Sequence, residues 1–239
     1  MRLFLAAFLA LLFIPATAQQ DSIPKAGSKQ FEPNFTAVDS LYREDQFYAS
    51  FTYNIITNLP REMSQNKFSV GVSGGFLRDF PVNKQRNVAI ALGLGYTLQN
   101  YNYNLIVSQT PTGVTYEYIG DDLYYEKNKL SLNYVDLPVE FRWRTSVPES
   151  HKFWRIYTGL KFSYLFNSRS KFTGVGGKNL VINNSDLNPF RFSTYVAAGY
   201  NTWNFYACYG INPIFRRGSV GSQQLEISSL SVGLMFYIL

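Results

Sequence analysis

Large apolar side chains alternate with small or polar ones along most of the chain. In residues 87–101, which read NVAIALGLGYTLQNY, one side carries valine, isoleucine, leucine and tyrosine. The other side carries alanine, glycine, threonine and glutamine. Because successive side chains of a strand point to opposite faces, this period of two predicts a β-strand. The smaller face lacks the charges that a soluble sheet presents to water.

The same alternation returns in later and earlier stretches, each with one continuous apolar, aromatic-rich face. A soluble β-sandwich also alternates, but recurrence of the pattern in every stretch favours a membrane barrel with its apolar face outward. We therefore predict an all-β fold, an antiparallel up-and-down transmembrane β-barrel of about eight strands. The predicted barrel covers residues 46–239, with strands near residues 46–57, 67–79, 87–101, 129–145, 153–167, 190–200, 203–215 and 225–238.

The links between these strands predict the orientation of the barrel. Short links near 80–86, 146–152 and 201–202 alternate with long polar links near 104–128 and 168–188. Bacterial barrels have short periplasmic turns and long extracellular loops. Both termini are therefore predicted to be periplasmic.

Three tryptophans flank the short links. Trp143, Trp154 and Trp203 would all lie at the same end of the barrel. Tryptophan is enriched at membrane–water interfaces, so this set predicts an aromatic girdle at the inner interface.

The first residues have the features of a secretory signal peptide. Arg2 precedes an apolar run, and Ala16, Thr17 and Ala18 supply the small residues before a cleavage site. The run is too short for a transmembrane anchor, so residues 1–18 are predicted to be a signal cleaved near Ala18. Residues 19–45 show little periodicity and predict a flexible periplasmic segment.

Composition narrows the function classes. The chain has 239 residues and a net charge of +6, and its positive charges are scattered, so no nucleic-acid partner is predicted. The single Cys208 cannot form an intramolecular disulfide. We see no metal-ligand spacing and no cofactor motif, and predict neither. The single histidine, His151, falls in a predicted periplasmic turn, so we do not expect an enzyme.

The stretch SVGLMFYIL ends the sequence. Its residues Gly233, Phe236 and Ile238 resemble the final-strand signal that the barrel-assembly machinery recognises in bacterial barrels. The stretch departs from that signal by ending in Leu239 rather than an aromatic residue. We predict the assembly machinery as a partner during biogenesis.

Three stretches together resemble a known family. KLSLNYVDLPVEFRWR, FSVGVSGGF and ALGLGYTLQNY are similar to strands of the PorT-family outer-membrane β-barrel proteins of Bacteroidota. The resemblance implies a small outer-membrane barrel. The founding member is associated with type IX secretion and gliding, whereas most relatives have no assigned role.

The strands also predict a set of charged side chains inside the barrel. An eight-stranded barrel is just wide enough for its side chains to fill, so charges there must be paired. Two alternatives follow: a salt-bridged plug, or a narrow path that attracts anions because basic groups outnumber acids. Pro138 is expected to form a bulge, since a closed barrel pairs every strand on both sides. The predicted set is Asp136, Glu140, Arg142, Arg144, Arg155, Lys161 and Arg191.

These observations predict a structural or interaction component of the outer membrane, an accessory to surface assembly or secretion. The alternative is a narrow small-solute channel that prefers anions, and a distant alternative is an outer-membrane enzyme. The predicted partners are outer-membrane lipid and other envelope proteins whose identity the sequence does not give.

Overall fold

Thirteen strands make up the secondary structure of the computed structural model, which describes residues 45–65, 67–120, 123–145, 153–174 and 177–238. The predicted signal peptide, residues 19–44 and His151 lie outside the described residues. In the part of the chain that is described, no helix is long and apolar enough to cross a membrane. The strands are β1 (Gln46–Thr57), β2 (Val70–Pro81), β3 (Val88–Tyr101), β4 (Leu105–Thr110), β5 (Gly113–Tyr118), β6 (Tyr125–Arg144), β7 (Trp154–Gly174), β8 (Gly177–Ile182), β9 (Phe190–Tyr200), β10 (Trp203–Gly210), β11 (Ser219–Val220), β12 (Gln223–Gln224) and β13 (Ser228–Ile238).

Eight of these strands form a closed antiparallel barrel, as the alternation predicts. Each barrel strand pairs with the next one along the chain, in the order β1, β2, β3, β6, β7, β9, β10 and β13. Pairing of β1 with β13, from Phe47 opposite Ile238 to Thr57 opposite Ser228, closes the ring. Closure gives each of the eight barrel strands a neighbour on both sides for its backbone groups, as a membrane requires.

The alternating faces lie as predicted. Large apolar side chains point outward, and among them Leu94 is 60% exposed and Phe205 is 78% exposed. Small and polar side chains point inward, where Ala91 and Ser50 are buried. A barrel with its bulky side chains outside is suited to lipid rather than water.

The two ends of the barrel differ. The short-turn end has the links 82–87, 145–153 and 201–202 together with both ends of the barrel chain. The long-loop end has the remaining links, which contain the hairpins β4–β5 and β11–β12 and the strand β8. The predicted alternation of short and long links is confirmed. That the short-turn end is periplasmic remains a prediction.

The predicted bulge at Pro138 is wrong. Residues of β6 on both sides of Pro138 keep one register with β7, and Pro138 itself lies opposite Lys161. Toward β3 the pairs stop at Val139 and resume at Asp136 in the same register. The sheet therefore accommodates the missing proline N–H by losing ladder pairs and not by adding a residue.

A register shift lies elsewhere in the same pair of strands. Asn133 of β6 is opposite Asn167 of β7, whereas the next residue, Tyr134, is opposite Leu165. Phe166 is therefore an extra residue in β7, which is a β-bulge.

The strand predicted to reach residue 215 is shorter. β10 ends at Gly210, and Phe215 is buried among the loops and does not lie on the outer face. Asn212 ends the ladder because its side chain accepts from the N–H of Phe192 at 2.8 Å and donates to the carbonyl of Phe190 at 2.8 Å. Pro213, which has no N–H, follows it.

Candidate functional site in the barrel lumen

The lumen contains a set of buried charged side chains. All seven predicted charges point inward and are buried, and an eighth, Asp79, joins them. Five basic groups therefore face three acids. Asp79 was missed because the predicted strand ended there, although it continues the inward positions of Ser73 and Leu77 by steps of two.

Asp79 is the centre of an ion-pair network at the short-turn end. Its carboxylate accepts two hydrogen bonds from Arg144, at 3.0 and 2.9 Å, and one from Arg142, at 3.0 Å. All three side chains are fully buried. Arg144 also donates to the carbonyl of Arg86 at 3.0 Å, which ties the network to the turn between β2 and β3. Bidentate pairs of this kind hold charge in a fixed geometry.

Glu140 connects this network to the opposite wall. Its carboxylate accepts from Arg142 Nε at 2.8 Å, from Tyr195 at 3.0 Å and from Tyr237 at 3.1 Å. The two tyrosines belong to β9 and β13, whereas Glu140 belongs to β6. The hydrogen bonds therefore join β6 to β9 and β13 across the lumen.

Arg155 differs from the other arginines of the cluster. Its Nε and Nη1 atoms are buried without a hydrogen-bond partner. Its guanidinium carbon lies 4.5 Å from the ring centroid of Phe153, 5.5 Å from that of Tyr237 and 5.8 Å from that of Tyr157. Aromatic faces, rather than a carboxylate, stabilise this cation.

The middle of the lumen is lined by smaller polar groups. Lys161 Nζ lies 3.9 Å from Asp136 Oδ2, which also accepts a short hydrogen bond from Thr97. Ser50 and Ser73 share a hydrogen bond of 2.6 Å. Two cavities in this zone, both beside Lys161, have volumes of about 10 Å³. Each of them has room for about one water molecule.

Arg191 lies above this zone, toward the long-loop end. It donates to the carbonyl of Asn212 and, at 3.4 Å, to the hydroxyl of Ser229. Loop and strand residues then form an apolar cap over the long-loop end of the lumen. The cap consists of Ile56, Met63, Tyr101, Tyr103, Leu105, Leu130, Leu132, Tyr134, Leu187, Ile214, Phe215, Leu225 and Ile227.

Polar contacts fasten the loops around the apolar cap. Tyr116 of β5 donates to Asp186 at 2.8 Å and accepts from Asn184 at 2.9 Å. Burial, followed by the neighbouring Asp186 carboxylate, raises the pKa of Tyr116. The phenol therefore keeps its proton, and its bond to Asp186, to a higher pH than a free tyrosine does.

The three predicted girdle residues lie next to the short turns. Trp143, Trp154 and Trp203 are exposed beside the short turns, and Trp203 packs on Phe236 with ring centroids 5.0 Å apart. A second set of outward aromatic side chains, which the sequence analysis missed, lies toward the long loops. It includes Tyr53 stacked on Phe68 at 4.9 Å, and Tyr96 beside Phe166 at 6.1 Å. That these two sets lie at the two membrane interfaces is a prediction.

The predicted assembly residues lie on the strand that closes the barrel. Phe236 and Ile238 of β13 point outward near the short turns, and Gly233 lies against the backbone of β1. A Cβ added at Gly233 would lie 2.0 Å from the carbonyl oxygen of Phe51, so only glycine fits this close approach. Their recognition by the assembly machinery remains a prediction.

The described residues contain no group of three or more histidine, cysteine, aspartate or glutamate side chains that could hold a metal ion. Chemically, the lumen offers buried ion pairs, tyrosine hydrogen bonds and room for single waters.

Comparisons with known proteins identify a family. The family model described as outer membrane protein beta-barrel domain matches residues 18–216. No curated protein matches the sequence. A solved structure titled "Asymmetric conductivity of engineered proteins" covers 82% of this chain and 100% of its own, at 7% identity and a TM-score of 0.21. A TM-score this low carries no structural argument.

Proposed function

Since the chain belongs to the family of outer-membrane β-barrel domains, we propose that it is a structural and interaction component of the outer membrane with a closed lumen. Its role is to present the long loops on a rigid barrel, rather than to conduct solutes or to catalyse a reaction. The short-turn end and both termini face the periplasm, after cleavage of a signal near Ala18.

The observation that carries this proposal is the closure of the lumen at both ends. Asp79, Glu140, Arg142 and Arg144 pair across one end. The apolar cap covers the other end. Between them, each cavity beside Lys161 has room for about one water. A hydrated ion is larger than these cavities, so passage requires the network to break.

Conductance in planar lipid bilayers tests the proposal. Three full-length proteins are inserted: the wild type, Arg155→Ala and the matched control Lys84→Ala. The control changes an exposed turn residue. Arg155 lacks a carboxylate partner within the described residues, so its removal leaves no acid unpaired. We expect all three proteins to be silent.

A second candidate, an anion-preferring channel, is favoured by the excess of two basic groups in the lumen and by the carboxylate-free Arg155. Steady anion current through the wild type, reduced in Arg155→Ala and unchanged in Lys84→Ala, would overturn the closed barrel in favour of this channel.

The orientation is tested by cysteine labelling of intact cells in a Cys208→Ser background. A membrane-impermeant maleimide is expected to modify Gly113→Cys, which lies in the β4–β5 hairpin. It is expected to modify Lys84→Cys, in the turn between β2 and β3, only after the outer membrane is opened. The reverse result would place the long loops in the periplasm.

The finer role of accessory to surface assembly or secretion is supported by the resemblance to PorT-family strands. Cross-linking in native outer membranes, followed by mass spectrometry, tests it. We expect an envelope protein to be recovered with the full chain and lost when the β4–β5 hairpin is shortened. Recovery of the barrel alone in both cases would contradict an interaction role.

A further inference from the structure

Three strands continue past the barrel rim as a small sheet at the long-loop end. The upper part of β6, residues 125–133, pairs with residues 167–174 of β7, and these pair with β8. We call this part the rim sheet. Its inner side is packed, since Phe172 and Val181 are buried and Leu130 belongs to the apolar cap. The outer side is therefore held in place by a packed layer beneath it.

The outer side of the rim sheet is strongly basic. It contains five cations, while Glu126 is the single acid in these three segments. Lys129 lies directly opposite Lys171 in the ladder, although like charges directly opposite each other destabilise a sheet. Among the described residues, none of the five has a carboxylate oxygen within 4.0 Å. The cations are Lys127, Lys129, Arg169, Lys171 and Lys178.

Apolar side chains lie among these charges. Leu180 is opposite Lys171 and Ile182 is opposite Arg169, and they are 55% and 50% exposed. A surface that exposes aliphatic and cationic groups together suits an amphipathic anion better than it suits a purely hydrophilic anion. Phosphorylated lipids combine these two properties.

The height of the basic surface agrees with a headgroup layer. Phe166 lies at the edge of the outward apolar band, and Arg169 follows it by three residues along β7. At about 3.3 Å per residue and a tilt of about 40°, Arg169 lies roughly 8 Å above that edge. The polar layer on each side of a bilayer is about 5–8 Å thick. The cations therefore begin at the outer limit of that layer, with Lys171 roughly 13 Å above the edge, and their long side chains can extend back toward the phosphate groups.

We propose that the outer side of the rim sheet binds the phosphate groups of an anionic lipid in the membrane leaflet that faces the long loops. Lys129 and Lys171 form the centre of the site and share one phosphate, whose charge removes their mutual repulsion. Leu180 and Ile182 contact the apolar part of the same lipid. The inference rests on the proposed position of the barrel in the membrane, but not on the closure of its lumen.

Binding of diphosphorylated lipid A to the full chain in neutral detergent tests the site. The test variant, Lys129→Gln with Lys171→Gln, is compared with Arg61→Gln with Arg217→Gln, which removes two exposed charges from loops at the same end. We expect the test variant to bind about 30-fold more weakly than the wild type, from the usual contribution of a lysine near anionic headgroups. The control is expected to bind within about twofold of the wild type.

Four further measurements make the outcome decisive. Lys129→Arg with Lys171→Arg preserves the charge and is expected to restore binding, and heat-modifiable gel mobility checks that each variant is folded. Dephosphorylated lipid A is expected to bind like the test variant, and inorganic phosphate alone is expected to compete only weakly.

Equal binding of the test variant and the control, or equal binding of the dephosphorylated lipid, would overturn the proposal. Binding of poly-L-glutamate in preference to lipid A would also overturn it, in favour of an acidic polypeptide partner. Conductance distinguishes failure of this inference from failure of the proposed function. A silent barrel that does not bind lipid refutes only the lipid site. A conducting barrel that binds lipid refutes only the closed lumen.

Discussion

Replacing Glu140 by glutamine is expected to destabilise the barrel strongly. Glu140 is 1% exposed, and its carboxylate accepts one hydrogen bond from Arg142 and two from tyrosines. A hydrogen bond to a charged group contributes about 1.5–3 kcal/mol. Glutamine keeps one acceptor oxygen, but its amide nitrogen meets donors, and the excess of basic groups in the lumen rises from two to three.

The expected loss is therefore about 3–5 kcal/mol, the range for breaking a buried ion pair from one side. The matched control is Glu126→Gln, in the same strand β6 but exposed, where surface substitutions change stability by about 0.5 kcal/mol or less.

Guanidinium unfolding of the full chain in lipid vesicles, followed by tryptophan fluorescence, measures the difference. For a loss of 4 kcal/mol and an m-value of about 4 kcal/mol/M, the midpoint falls by about 1 M. Equal midpoints for Glu140→Gln and Glu126→Gln would refute the reasoning, because they would mean that water already surrounds the carboxylate in the folded barrel.

Three further outcomes follow from the lumen and the sheet. Asp79→Asn weakens the contacts of two buried arginines and is expected to lower the free energy of unfolding by about 3–5 kcal/mol in the same assay. A loss below about 1 kcal/mol would contradict the ion-pair network. Gly159→Ala places a Cβ 2.1 Å from the carbonyl oxygen of Val139 and is expected to cost about 1–3 kcal/mol, whereas Gly120→Ala, with open space around it, is expected to be neutral. The buried Cys208 thiol is expected to resist a maleimide reagent in the folded barrel and to react after denaturation, and full labelling of folded protein would indicate an open lumen.

The fold could be predicted from the sequence because successive residues of a barrel strand face outside and inside in turn. Large apolar and small or polar side chains therefore alternate along each strand. The alternation placed Glu140, Arg142 and Arg144 on one inward face, and the structure places them there. The same rule, extended by one step of two, also reaches Asp79. Alternation in one strand does not reveal register between strands, so the partners of Asp79 could not be predicted.

Other features depended on contacts that the local pattern does not contain. Pro138 breaks no register, because the loss of pairs to β3 is tolerated while β7 holds the strand on its other side. Phe215 matched the outward alternation of β10, but Asn212 ends the ladder before it through side-chain bonds to β9. The apolar cap is assembled from strand ends and separate loops, and a sequence period cannot show which of them meet.

The extra residue at Phe166 sets the phase of everything above it in β7. Below the bulge the odd-numbered residues, such as Lys161 and Ser163, point inward, whereas above it the even-numbered Ser168 and Ser170 do. If β7 kept all its residues but ran on as a regular strand without the bulge, the lower phase would continue and turn Arg169 and Lys171 toward the apolar interior, where their charges would have to be stripped of water. The bulge thus decides whether the upper wall of the barrel turns its charges or its packed side chains outward.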